Sequence, residues 1–74
     1  MEKFIQVVVD HDKKQFHVES EATKETNYDA RVEEAKKQGR DVGSFRSRLD
    51  TVEKTIDAAQ HEYKGYRHLE ESPV

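Results

Sequence analysis

The chain has 74 residues, no cysteine, 39% charged residues and a formal net charge of −3. This length allows one domain with a thin core, because a chain of this size buries only about 60% of the surface that it exposes when unfolded. The lack of cysteine excludes a disulfide framework and thiolate metal ligation. No apolar run is long enough for a signal peptide or a membrane span, so we expect a cytoplasmic protein without membrane contact.

An N-terminal β-hairpin is predicted from two strands, at about residues 3–10 and 15–20. The first strand is a β-branched and aromatic run, and the second alternates polar and apolar residues. One register places the large apolar residues on a single face and is therefore self-consistent. It pairs Val9 with Phe16 and Val7 with Val18.

The hairpin tip carries Asp10, His11 and Asp12, with His17 just beyond it. A metal site would need both histidines and one aspartate to converge on a single ion. The predicted register places His17 on the outer face of the second strand, away from the tip. We therefore interpret the cluster as a solvated turn, which Asp and Lys favour without any ligand, and we predict neither a metal nor a cofactor.

From Tyr28 to Tyr66 the apolar residues recur at alternating spacings of three and four. This heptad spacing is typical of helices that pack along their length against another helix. The spacing slips once, between Gly39 and Gly43, and each glycine costs a helix interior about 1 kcal/mol relative to alanine. We therefore predict that a first helix ends there and that Asp41 or Ser44 caps a second one.

The predicted fold class is α+β: a small single domain over residues 1–70, in which an N-terminal β-hairpin is followed by a helical hairpin. The order is ββαα. The helices cover about residues 27–38 and 44–69, the second being long and heptad-patterned, and residues 71–74 form a flexible tail. An alternative is one continuous helix over residues 28–69 with a stammer in its heptads.

Only 32% of the residues are hydrophobic, which favours self-association, because a partner surface supplies burial that a small core lacks. We therefore predict a homodimer through the second helix. The residues of its dimer or core seam are Phe45, Leu49, Val52 and Ile56.

No motif of catalysis is complete. His61 and Glu62 begin like the zinc-protease helix motif, but Gly65 stands where the second histidine is required. There is no nucleophile elbow, phosphate loop or dinucleotide fingerprint. We therefore predict that the protein is not an enzyme.

Charge is unevenly distributed along the chain. Residues 36–48 hold five basic side chains against one acidic side chain, whereas residues 19–34 hold six acidic against two basic. The predicted start of the second helix lies within the basic stretch and would add backbone donors for a phosphate or carboxylate. We name this stretch the basic corner; its members are Lys36, Lys37, Arg40, Arg46 and Arg48.

The function that these features favour is a non-enzymatic protein-binding module, a small inhibitor or regulator that blocks a surface of a larger complex. Its contact residues are the basic corner together with Tyr63 and Tyr66, whose amphipathic rings suit interfaces. In size and make-up the chain is comparable to small proteins with which phages and mobile elements block host machinery. The alternative is a small dimeric nucleic-acid-binding regulator that presents the basic corner to phosphates.

Overall fold

The computed structural model describes residues 2–26 and 28–74. In chain order these form β1 (Phe4–Asp10), β2 (Gln15–Ala22), a 3₁₀ turn (Lys24–Thr26), α1 (Tyr28–Lys37), β3 (Val42–Arg46), α2 (Val52–Glu62) and β4 (Arg67–Leu69). The strands make one mixed sheet in the order β3-β1-β2-β4. β1 is antiparallel to both β2 and β3, and β4 is parallel to β2.

The two helices lie on opposite faces of the sheet. Val7 and Val9 of β1 pack on the face that α2 covers, whereas Val8 packs on the face that α1 covers. All three valines are at most 1% exposed. A strand buried on both faces is a continuous apolar run rather than an alternating one, which explains the three consecutive valines.

Each face has its own apolar cluster. The buried residues of the α2-side cluster are Val7, Val9, Phe16, Val18 and Ala59. Those of the α1-side cluster are Val8, Val32, Ala35 and Val42.

The predicted hairpin register is confirmed. Val9 lies opposite Phe16 and Val7 lies opposite Val18. The register shifts at the end of the hairpin far from the turn, between Phe4 and Gln6. Gln6 lies opposite Glu19, whereas Phe4 lies opposite Ala22. A local pattern was sufficient here, because any one-residue slip would turn the apolar set to the wrong face.

α1 also follows the prediction, since it ends one residue before the predicted residue 38. Its predicted start at residue 27 lies outside the described residues. Gly39 has a φ of +85° and its amide donates to Lys36 O at 2.9 Å. Glycine adopts this left-handed conformation without steric cost and commonly ends a helix.

The prediction of a long C-terminal helix is wrong, and so is the predicted ββαα order. The stretch predicted as helix 44–69 contains most of β3, a loop, the eleven-residue α2 and β4. Neither a coiled coil nor a continuous helix is present in residues 28–69, all of which are described. Two local features oppose the long helix. Gly43 disfavours helix near its start, and Thr51 caps α2 by accepting a bond from Lys54 N at 3.2 Å.

Pro73 and Val74, which belong to the predicted flexible tail of residues 71–74, contact the α1 side of the domain. Pro73 O accepts a hydrogen bond from Arg40 Nη2 at 3.0 Å. Val74 packs against the α1-side cluster. Among residues 2–26 and 28–74, no helix combines the length and the apolar character that crossing a membrane requires.

Candidate functional site

A concave surface lies between β3 and α2. α2 packs on β2 and β1, so it leaves the β3 side of its face open. The result is a groove of about 510 Å³, which we name the β3–α2 groove. Its lining includes Val7, Phe45, Leu49, Ala58, Ala59 and Tyr63, with Arg46, Arg48 and Glu62 as its charged members.

Two large apolar side chains of this groove are exposed to solvent. Phe45 is 45% exposed and Leu49 is 42% exposed, and they are the large hydrophobic residues that the described part of the chain leaves exposed. Scattered exposed apolar residues are ordinary, whereas these two line one groove and form a small apolar patch in a concave surface. These side chains are therefore candidates for contact with a partner.

Hydrogen bonds hold the loop that carries Leu49. The hydroxyls of Ser47 and Thr55 lie 2.8 Å apart and connect this loop to α2. Ser47 Oγ also accepts a bond from Leu49 N at 3.1 Å. These bonds connect the backbone of Leu49 to Ser47 and, through Ser47, to α2.

One long edge of β3 is free among the described residues, because β3 ends the sheet and pairs only with β1. Ser47 N donates to Ile5 O at 2.7 Å, and His11 N donates to Asp41 O at 2.8 Å. An antiparallel ladder repeats these bonds every second residue. The odd-numbered backbone groups of β3 therefore face β1, and those of Ser44 and Arg46 face outward.

Arg46 stands beside this free edge. Its guanidinium lies 4.5 Å from the Phe4 ring centroid and pairs with the Glu2 carboxylate. The hydrogen bond and charge of Arg46 lower the pKa of Glu2. Both side chains are more than half exposed, and such surface pairs contribute little stability. Arg46 can therefore exchange this carboxylate for another.

The structure separates the basic corner. Arg40 precedes β3 and Arg46 ends it, and a five-residue strand spans about 13 Å between its terminal Cα atoms. Lys36 pairs with Glu33 at 3.7 Å, whereas Arg40 pairs with Asp10. The helix N-terminus expected in this corner is absent from residues 36–48, because α2 starts only at Val52. Lys37 is exposed near the end of α1.

Asp10 is a structural residue rather than a ligand-binding one. Its carboxylate is 1% exposed and accepts bonds from Asp12 N at 3.0 Å, Lys13 N at 3.1 Å and Arg40 Nη2 at 3.1 Å. Burial alone would raise the pKa of Asp10, but these donors outweigh burial and lower it. Asp10 thus joins the hairpin tip to the segment before β3.

The two tyrosines named as contacts pack against the hairpin tip. Tyr66 Oη lies 2.9 Å from His11 Nδ1. The His11 ring makes edge contacts with both tyrosine rings at centroid distances of 5.8 Å. Burial raises the pKa of Tyr63, so this ring stays neutral at physiological pH. Tyr63 also lines the β3–α2 groove, whereas Tyr66 covers the turn.

The four seam residues do not form one stripe. Val52 and Ile56 pack against the α2-side core, whereas Phe45 and Leu49 line the groove. The groove therefore receives half of the predicted seam, together with Arg46, Arg48 and Tyr63.

His17 is 6% exposed on the α1 side. Its ring nitrogens lie 3.1 Å from Leu69 O and 3.2 Å from Glu19 Oε2, and Tyr28 Oη donates to the same carboxylate oxygen at 2.9 Å. Burial would raise the pKa of Glu19, but the bonds from His17 and Tyr28 lower it. This polar cluster is closed by bonds within the domain and has a structural role.

The hairpin histidines lie on opposite sides of the sheet. His11 contacts the tyrosines that follow α2, and His17 contacts Tyr28 through Glu19 on the α1 side. In the described ranges, no group of three or more His, Asp or Glu side chains could hold a metal ion.

No protein family, curated protein or solved structure matches the chain. The features that bear on function are therefore the geometry of the β3–α2 groove and the free edge beside it.

Sequence reasoning missed β3 and, with it, the free edge. Two signals were present. The run Val7-Val8-Val9 is typical of a strand buried on both faces, which requires elements on both sides. Gly43 and Ser44 are poor helix formers. Together these signals favour a third strand over a helix that begins at residue 44.

Proposed function

We propose that the protein is a non-enzymatic protein-binding module that acts in the cytoplasm as a small inhibitor or regulator of a larger complex. Its binding surface is the β3–α2 groove with the free edge of β3. The observation that carries the proposal is the exposure of Phe45 and Leu49, at 45% and 42%, beside an edge that no described strand occupies.

Two physical arguments support this surface. Proteins usually cover or protect an exposed strand edge, because its unpaired amides and carbonyls pair readily with another chain. Recognition by strand addition uses such an edge for affinity and an adjacent apolar pocket for specificity. The β3–α2 groove has both components side by side.

Inhibition follows from occupation of a surface. The domain has principal extents of 32 × 31 × 18 Å, so it can cover a patch of the size that a standard protein interface occupies, about 800 Å² per partner. A partner that donates a segment to β3 would have that segment withdrawn from its other contacts. The regulator thus acts by steric competition and needs no chemical step.

A nucleic-acid-binding regulator is the alternative function. It receives less support, because the basic corner is divided between the two ends of β3 and Arg40 is held by Asp10. A gel shift whose affinity falls steeply with salt, and which charge reversal at Arg46 and Arg48 abolishes, would favour this alternative.

The groove is tested with the native host's extract passed over immobilised protein. The groove variant carries Phe45→Ser and Leu49→Ser. The control carries Glu53→Ser and Asp57→Ser, which replace two exposed residues of α2. We expect a host protein that the wild type and the control retain and the groove variant loses. Equal thermal unfolding of all three forms shows that the loss comes from the surface.

Retention of the same host proteins by the groove variant would contradict the proposal. A specific loss in the control rather than in the groove variant would place the binding surface on the outer face of α2.

A further inference from the structure

We infer that the occupant of the β3–α2 groove is an extended segment of a partner protein in which acidic and apolar side chains alternate, and that it adds to β3 as a fifth strand. This inference rests on the proposed function and names the chemistry of the partner. It follows from three features of the edge: its backbone groups, the space at Gly43 and the position of Arg46.

Among the residues that the structure describes, no strand pairs with the outer edge of β3. The bonds of Ser47 N to Ile5 O and of His11 N to Asp41 O place the odd-numbered groups of β3 toward β1. The amides and carbonyls of Ser44 and Arg46 therefore face outward. An extended segment satisfies them without any change of the fold, whereas a helical segment cannot, because its own backbone groups are already paired.

The face of β3 toward α2 calls for an apolar side chain. Residues opposite each other in neighbouring strands share a face, so Gly43 and Phe45 lie on the same side as Val9 and Val7. A Cβ atom built at Gly43 would meet nothing within 4 Å. A side chain of the added strand opposite Gly43 therefore has room beside the exposed Phe45 ring, and burying apolar surface there is favourable.

On the other face of β3, the side chain of the added strand that suits Arg46 is a carboxylate. Arg46 lies opposite Gln6 on that face and already holds the carboxylate of Glu2. Because this pair is exposed, its replacement by an incoming carboxylate costs little. Arg48 adds a positive charge on the groove side, where Glu62 is the acidic lining residue, so the preference for a carboxylate on this face comes from Arg46. The end of β3 that carries Arg46 thus favours an acidic side chain, although the whole chain has a net charge of −3.

A second copy of the chain fits this edge less well. Antiparallel pairing of two β3 strands about Ser44, if continued past their ends, sets Arg48 of each copy opposite Arg40 of the other. Like charges directly opposite each other destabilise a strand pair. The charge pattern therefore favours a foreign acidic segment over self-pairing in this register.

The experiment uses a fluorescein-labelled heptapeptide in which four glutamates alternate with three valines. One matched peptide has lysine in place of glutamate, and a second has the same composition with the glutamates and valines in separate blocks. We expect saturable binding of the alternating acidic peptide by fluorescence anisotropy and weaker binding of the other two. The amide signals of Ser44 and Arg46 should shift in ¹⁵N spectra of the full chain.

Two charge reversals locate the peptide. Arg46→Glu removes one favourable charge pair and creates an unfavourable one, so we expect affinity to fall about tenfold. Arg67→Glu is the matched control, because Arg67 is exposed on β4 at the opposite edge of the sheet. It should leave the affinity unchanged.

Several results would overturn the inference. They are equal binding of the lysine or block peptide, equal affinity of the Arg46→Glu variant, and shifts confined to β4. A dimer in sedimentation that the Phe45→Ser and Leu49→Ser variant loses would identify a second copy as the occupant instead.

Failure of the inference is distinguishable from failure of the proposed function. If a host protein is retained through the groove but the acidic peptide does not bind, only the inference that the segment is acidic and apolar is overturned. Peptide binding at Ser44 and Arg46, with no host protein retained through the groove, overturns the proposed function and supports the chemistry of the edge.

Discussion

Asp10 Oδ2 and Arg40 Nη2 form an ion pair of 3.1 Å in which the carboxylate is 1% exposed and the arginine side chain is 34% exposed. The pair joins the end of β1 to the segment between α1 and β3. Arg40 also donates to Pro73 O at 3.0 Å, so the same guanidinium holds the C-terminal residues. These contacts position one end of β3 and therefore the edge that we propose as a binding surface.

Asp10→Asn should destabilise the domain by about 1 to 3 kcal/mol, because a buried acceptor of three hydrogen bonds loses its charge and Arg40 loses its partner. Urea unfolding followed by circular dichroism measures this change. Asp57→Asn is the matched control, since Asp57 is exposed on α2, and it should change the free energy of unfolding by less than about 0.5 kcal/mol. Equal effects of the two variants would contradict the structural role of Asp10.

The stability conferred by Asp10 should depend on pH. Its pKa in the folded protein is lowered below the ordinary value of 3.8. A carboxylate of this kind contributes its full stability above the ordinary pKa and loses it as pH falls through the lowered pKa. The difference in unfolding free energy between the wild type and Asp10→Asn should therefore be constant from pH 7 to pH 5 and shrink below about pH 4. A difference that grows on acidification would show the opposite sign.

The seam residues should differ in their effect on stability. Ile56 packs against the α2-side core, whereas Leu49 is 42% exposed. Ile56→Asp should cost about 2 kcal/mol or more, because it forces a charge against apolar side chains. Leu49→Asp should cost less than about 0.5 kcal/mol. A continuous heptad seam would require both variants to be similarly damaging, so chemical unfolding of the two discriminates between these folds.

Two glycines should respond in opposite directions to alanine substitution. Gly65 has a φ of +84°, a left-handed conformation that costs a residue with a Cβ atom about 1 kcal/mol. At Gly43 a Cβ atom has open space and φ lies outside the left-handed region, so Gly43→Ala should be neutral or stabilising by up to about 1 kcal/mol. Thermal unfolding compares the two, and a more stable Gly65→Ala variant would contradict the turn geometry.

The hairpin and α1 could be predicted because their determinants are local. Alternation in β2 admits one register with Val7 and Val9, and any slip of one residue would expose the apolar set. At the end of α1, Gly39 follows two lysines and adopts the left-handed conformation that ends a helix. In both cases neighbouring residues carry the whole signal.

The candidate site could be predicted only in part. Phe45, Leu49, Arg46, Arg48 and Tyr63 were singled out from the sequence, and the structure brings them together in one groove. The sequence pattern placed them in a helical seam and in a basic corner. Residues 28–69, all of which are described, contain no such seam, and the structure separates the members of the basic corner. The residues were recognisable by type. Their arrangement depends on β3, a strand in a stretch whose heptad spacing predicted a helix.

What the sequence by itself determined is the β1–β2 hairpin, its register and the end of α1. The tertiary structure decided the conformation of Val42–Arg46, the length of α2 and therefore the groove. The physical reason is that spacings of three and four in a short segment are compatible with a helix, while the bonds that make β3 a strand come from β1, more than thirty residues earlier in the chain. Val8 of β1 is buried on the α1 side of the sheet. An apolar residue at this position was the one local indication that β1 is buried on both faces.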